Sequence, residues 1–186
     1  MTAVALAPLV QHRSPNQSSR NGRTITHLLW HSTAGAYAGA ISWLCTPTRY
    51  NPDGSVRSGP DASAHLVVRE DGEQASQLVH LAAKAWHAEA WNAFSVGVEH
   101  ASLGRGFASH AQLLESARIF AWLCHREGIP PLFGLHRPRG LVRHRDLGVA
   151  GGGHSDGPSD QVWFHEYLPA VQRELVRGGF RKTWAL

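Results

Sequence analysis

The sequence predicts a single α/β domain, and three observations carry that prediction. Short β-rich runs alternate with longer stretches whose apolar residues recur at helical spacing. A chain of 186 residues, 42% hydrophobic and 17% charged, suffices for one domain with a real core but not for two generous ones. The longest apolar runs, such as Gly35 to Cys45 and Ile119 to Cys124, fall well short of the roughly 20 residues that cross a bilayer, so no transmembrane segment is expected.

Residues 1–23 end in QHRSPNQSSRNGR, too polar to bury much surface, and read as an N-terminal polar arm ahead of a domain at 24–180. Ile25 to His31 (ITHLLWH) reads as a buried strand that delivers His31 at its C-terminal end, before the turn-like STAG. Ala36, Ala40, Ile41 and Leu44 then space a short helix from Gly35, which Pro47 stops. Arg49 to Ala62, rich in Pro, Gly, Asp and Ser, is a surface loop. Ala64 to Arg69 and Glu73 to Val79 flank an Asp-Gly turn and form a hairpin. In Ser95 to Ala101, Val96 and Val98 alternate with Ser95, Gly97 and Glu99, which puts Glu99 on the face opposite the valines. Ser109 to Glu127 is a helix with a stripe through Leu113, Ala117, Phe120 and Cys124, an N-cap at Ser109 and a stop at Gly128. The glycine-rich stretch Gly134 to Asp160 lacks periodicity, and a connection of that length points to function. Gln161 to Arg177 closes the domain as an amphipathic helix.

The formal charge is +4, and because lysine occurs only at Lys84 and Lys182, the positive charge is mostly arginine, whose fork suits carboxylates and phosphates. Nucleic acid, anionic membrane and bacterial cell wall all fit that balance, as does simple compositional bias. No nucleic-acid-binding motif accompanies the arginines, so a nucleic-acid partner is not expected. Cys45 and Cys124 are far apart and lack CxxC company, which excludes a disulfide scaffold and leaves both as buried small hydrophobes. Met1 to Val10 has no basic lead and no small-residue cleavage site, so synthesis in the cytoplasm without a signal peptide is expected. The 13 histidines prompt a search for a metal site.

A hydrolytic zinc site needs three protein ligands and one open position. His31 sits at a strand end, where open α/β sheets place their sites. His144, in LVRHRDLG, is followed across a Gly-rich loop by His154-Ser155-Asp156. Neither segment matches HExxH, CxxC or a nucleophile elbow, and each histidine alone reads better as a hydrogen-bonded core residue.

In succession, ITHLLWHSTAG, SAHLVVREDG, AWHA, SVGVE, and RHRDLG followed by HSD resemble the motifs of the type 2 N-acetylmuramoyl-L-alanine amidases, in their order. That family includes phage endolysins, bacterial muropeptide amidases and animal peptidoglycan recognition proteins. The resemblance runs from about Ile25 to about Val176. It implies a mixed central β-sheet flanked by helices, and zinc-dependent hydrolysis of the amide joining the lactyl group of N-acetylmuramic acid to L-alanine. Carried over by motif, His31, His144 and Asp156 would hold Zn2+ with water in the fourth position. Glu99 would orient or deprotonate that water. His154, where many relatives have a lysine, would stabilise the oxyanion. His65 in SAH and His87 in AWH would line the substrate cleft or support the ligands, with a packing role at least as good a reading for each. In two places the chain departs from its relatives: Gly157-Pro158 reverses their common Pro-Gly, and Ala64 stands where some place a catalytic tyrosine, which leaves more to Glu99.

Trp43, Trp86 and Trp91 read as core or rim residues in preference to sugar-stacking ones. Arg137, Arg139, Arg143 and Arg145 form either a carboxylate-holding group or a solvated basic loop. The resulting expectation is a monomeric zinc amidase that acts on peptidoglycan, most like a phage endolysin released to the cell wall by a membrane-permeabilising partner. A bacterial autolysin, a muropeptide-recycling amidase and a non-catalytic peptidoglycan-binding module are the alternatives.

Overall fold

The computed structural model describes residues 7–50, 53, 55–58, 61–104 and 106–178. In chain order its strands and helices are β1 (Leu9–Gln11), β2 (Gln17–Ser19), β3 (His27–Ser32), α1 (Tyr37–Leu44), β4 (Arg49–Tyr50), β5 (Val56–Ser58), β6 (Leu66–Val68), β7 (Ala75–Gln77), β8 (Ala83–Ala85), β9 (Ser95–His100), α2 (His110–Glu127), β10 (Gly140–Arg143), α3 (Asp160–Val162) and α4 (Leu168–Arg177). Six strands form one mixed sheet in the order β1-β7-β6-β9-β3-β10. All neighbours are parallel except β6 and β7, the hairpin turned by Asp71-Gly72.

Alternation along the strands assigns the two faces. Leu28, Trp30, Leu66, Val68, Val96 and Val98 point to one side, where α2 and α4 cover them in the main core. Phe120, Ile119 and Leu123 of α2 are fully buried there, each contributing about 1.5–3 kcal/mol by leaving water. Leu29, Val67 and Val142 point to the other side, under α1 and the loops carrying Ala88 and Leu147. Odd-numbered positions of β3 and β9 share that second face, and the parallel register pairs His31 with Glu99 at its C-terminal edge.

Local chemistry sets the element ends. Ser109 Oγ accepts from the Gln112 N–H to cap α2, and Gly128 ends it in the left-handed conformation at φ 63°. The closing helix runs from α3 into α4 through a π turn over Trp163–Tyr167, where the Leu168 N–H reaches back to the Trp163 carbonyl. Pro169 follows immediately; having no N–H, it cannot restore the ordinary ladder at that step.

Three expectations are corrected. Residues 7–23 are not an arm outside the domain: β1 extends the sheet edge beside β7 and β2 pairs with β8. Ser14, Asn16 and Arg20 are buried there, and the Asn16 Nδ2 donates to the carbonyls of Thr46 and Ala62, so a polar composition did not mean a wholly solvated segment. Gly134 to Asp160 is not featureless, for it holds β10, buried throughout and paired with β3, followed by a 3-10 segment over His144–Gly151. Cys45 is only half-buried, whereas Cys124 is buried as expected. The loop expected over Arg49 to Ala62 falls partly outside the described residues; within it β4 and β5 pair antiparallel. Among the described residues no helix is long and apolar enough to cross a membrane.

Candidate metal centre

At the C-terminal edge of β3 and β9 opens a cleft of about 820 Å³ lined by His31, His87, Glu99, His144, His154 and Asp156, among others. Each reaches it from a different element. His31 comes from the end of β3, and His144 follows β10 at the start of the 3-10 segment. Asp156 comes from the loop after that segment. Its carbonyl accepts from the Arg145 N–H at 3.0 Å, so the reversed Gly157-Pro158 pair leaves it in place.

The ligand atoms of His31, His144 and Asp156 all lie within 4.8 Å of one another. The Nδ1 atoms of the two histidines are 2.9 Å apart, and His144 Nδ1 is 2.9 Å from Asp156 Oδ1. His144 Nε2 donates to the Gly151 carbonyl at 2.7 Å, so in the neutral ring its Nδ1 carries only a lone pair. A neutral imidazole and a carboxylate therefore present bare acceptors to each other, an arrangement that a bound cation relieves. Two histidine nitrogens and one carboxylate oxygen, opening on a cleft, also form the donor set of a hydrolytic zinc site. The residues present fit such an ion.

Asp156 is further fixed by the Ser32 N–H, which donates to Oδ2 at 3.0 Å. Burial works to raise its pKa, but its close contacts with His144 and His31 and the Ser32 N–H outweigh that and hold it at about 2. Glu99 is the opposite case. Its Oε2 is buried without a hydrogen-bond partner, and burial, followed by the negative Asp156, pushes the carboxyl up to about 8. His154 is exposed at the mouth, stacked on the His144 ring with centroids 4.4 Å apart.

His65 does not line the cleft, as a substrate contact would, and takes the packing reading instead. It is wholly buried behind the site, its Nδ1 accepting from the Gly97 N–H at 3.0 Å. Of the four arginines expected near the site, Arg143 is buried and committed to Asp146 and Asp160, and Arg139 donates to the carbonyls of Ile25 and Glu127. These two brace loops and are not free to hold a substrate carboxylate.

Sequence reasoning passed over two supporting residues. His100 Nδ1 donates to the His31 carbonyl at 2.8 Å while its ring stacks on Trp30, which pins the strand end that carries the ligand. Arg20 is buried and donates to the carbonyls of Leu81, Asn92, Ala93 and Ser95. The place of His100 directly after Glu99 was the available signal for the first; nothing in a polar segment singled out the second.

A mixed α/β sheet with two histidines and a carboxylate converging at one strand edge defines a candidate metal-dependent hydrolase scaffold. Residues 21–160 match the N-acetylmuramoyl-L-alanine amidase family, and the chain belongs to it. It is 33% identical over 118 residues to N-acetylmuramoyl-L-alanine amidase A of Achromobacter lyticus, a match covering 62% of this chain and 60% of that relative's length. The fold is similar to that of the hydrolase AmiA of Staphylococcus aureus, solved with its ligand, at TM-score 0.66 and 18% identity over 93% of this chain and 83% of that one. A mutant endolysin from Bacillus subtilis matches at TM-score 0.59 and 18% identity, over 89% of this chain and 99% of that one.

Proposed function

We infer that this chain is a zinc-dependent N-acetylmuramoyl-L-alanine amidase that hydrolyses the lactyl-L-alanine amide of peptidoglycan, in the manner of an endolysin acting on the cell wall. The observation that carries the reading is the convergence of His31 Nδ1, His144 Nδ1 and Asp156 within 4.8 Å in a chain of this family. Zinc held by these three atoms would supply a water with a pKa near 7 and polarise the scissile carbonyl.

The chain's own residues account for the remaining chemistry. Glu99, aimed into the cleft with an unpartnered oxygen, takes the proton from the attacking water and delivers it to the departing alanine nitrogen. Because Ala64 offers no hydroxyl, no tyrosine shares this work. His154, at the mouth beside His144, donates a hydrogen bond to the oxygen that gains charge, an interaction typically worth about 2.7–4 kcal/mol. The wall of small residues formed by Gly35, Ala36, Gly39 and Ala40 leaves room for an extended substrate chain.

Mass spectrometry of purified peptidoglycan digested by the protein tests the reading. Stem peptides with a free L-alanine amino terminus are expected, their release stopped by a chelator and restored by zinc. Intact glycan–peptide links after digestion with folded, zinc-loaded protein would overturn it and favour a binding module.

A further inference from the structure

We propose that His87 is a positioning residue: it sets the tautomer of His31 so that His31 Nδ1 stays bare toward the metal centre, and it does not serve as a substrate contact. The inference rests on the zinc amidase reading above. Its evidence is a chain of hydrogen bonds whose direction is set at the Ser95 end.

The chain starts at the Ser95 hydroxyl, which donates to the Trp91 carbonyl at 2.6 Å. With that hydrogen engaged, Ser95 Oγ faces His87 Nε2 at 3.3 Å as an acceptor, so Nε2 carries the proton of the neutral His87 ring. His87 Nδ1 is then a lone pair, 3.0 Å from His31 Nε2, which must donate to it. A neutral His31 that donates from Nε2 has no proton on Nδ1, the atom directed at His144 and Asp156. Reversing the chain would leave His87 Nε2 as a lone pair against a Ser95 hydroxyl whose hydrogen is already engaged, and would place a hydrogen on His31 Nδ1, where it would block a metal ion.

The His87 ring is boxed into this pose. A Cβ on Gly97 would come within 2.6 Å of it, so only glycine lets the ring lie against β9. Asn92 Oδ1 accepts from the backbone N–H groups of His87 and Ala88 at 2.8 and 2.6 Å, which fixes the chain on the other side. The two rings meet edge to face, with centroids 5.0 Å apart at 87°. With both ring nitrogens engaged, His87 has no hydrogen bond left for a substrate although it lines the cleft. The histidine of AWHA and the glycine of SVGVE thus act as one device, a partner of the kind that orients metal-ligating imidazoles elsewhere.

The test uses two substitutions at His87 and one at Ser95. H87L removes the acceptor, whereas H87N keeps an oxygen close to where Nδ1 stands. Titrated with zinc in competition with a chelating dye, H87L is expected to bind roughly 10- to 100-fold more weakly than wild type, with H87N recovering most of the loss. In peptidoglycan hydrolysis H87L should lower kcat and leave KM unchanged. Raised KM with unaltered zinc affinity would mean substrate contact and would overturn the proposal. S95A preserves the packing and should weaken zinc binding in the same direction; affinity equal to wild type would overturn the proposal even if H87L does not fold. Long-range 15N–1H NMR of the metal-free protein should report His87 as the Nε2–H tautomer, and the Nδ1–H tautomer would sink the proposal independently of zinc. Wild-type protein that takes up no zinc would overturn the amidase reading itself, whereas zinc-binding wild type with indifferent H87L and S95A overturns only this inference.

Discussion

His31 and Glu99 are cross-strand partners in the parallel register of β3 and β9, so a candidate metal ligand and the carboxyl that would serve it share one face and one edge of the sheet. Glu99 lies in a pocket that disfavours its charge, with a carboxyl pushed up to about 8 and one oxygen without a partner. A carboxyl tuned near neutrality suits a residue that takes and returns a proton within each turnover. E99Q keeps the shape and removes that capacity. It is expected to lower kcat by about two to four orders of magnitude while zinc affinity stays at the wild-type value. Stem-peptide release followed by mass spectrometry, paired with a zinc titration, checks both halves. A kcat within roughly threefold of wild type would leave Glu99 without a chemical role.

Much of this arrangement was legible because it rests on periodicity and punctuation. The α2 stripe with Ser109 and Gly128 at its ends, the Asp71-Gly72 hairpin and the valine alternation of β9 each express a local rule strong enough to survive without tertiary context. The apolar run before His31 placed it at the end of a buried strand, but its reading as a ligand, like those of His144 and Asp156, came from the resemblance to the amidase motifs. The strands β1, β2, β8 and β10 were not legible, since three or four residues cannot display a period. The burial of Arg20, Asn16 and His65 was hidden for a different reason. Each is a polar side chain satisfied by backbone groups distant in sequence, and composition records the polarity without the partner.

Arg20 provides the sharpest test of where the domain begins. Its guanidinium is buried and makes its hydrogen bonds to the carbonyls of Leu81, Asn92, Ala93 and Ser95, joining the N-terminal segment to the loops below the cleft. R20M would keep most of the volume and strand those acceptors, at a cost of about 3 kcal/mol or more. R20K should recover only part of it, because an ammonium lacks the planar fork. Urea denaturation of the three proteins checks the ranking. If R20M unfolds at the wild-type midpoint, residues 7–23 are dispensable to the domain after all.

His65 links stability to pH. Burial, then the charge of Arg20, pushes its pKa down from the ordinary 6.5 to about 3. The unfolded chain therefore takes a proton near pH 6.5 that the folded chain refuses until about pH 3. Its contribution is fully present above pH 6.5 and drains as the pH falls through that window, by up to about 1.4 kcal/mol per pH unit. H65N supplies a hydrogen-bond acceptor without titrating. Denaturation of H65N and wild type at pH 7.5, 6 and 5 should give a stability difference that shifts in favour of H65N with acid; parallel curves would show that His65 is not held neutral.

Trp43 stands on α1 at the rim of the cleft, 60% exposed, beyond the low wall formed by Gly35, Ala36, Gly39 and Ala40. An aromatic face left in water beside a channel of small residues buries little on folding, so W43A should change stability by less than about 0.5 kcal/mol. The same face can cover the apolar side of a sugar or peptide laid along the wall, and losing about 1 kcal/mol of such contact would raise KM roughly fivefold. The contact lies away from the reacting amide and holds substrate and transition state alike, so kcat should not move. Steady-state kinetics of W43A on a soluble muropeptide and on intact wall separates the cases. A raised KM on both places Trp43 on the shared part of the substrate, a rise on wall alone places it on the neighbouring glycan, and an unchanged KM on both removes it from the binding surface.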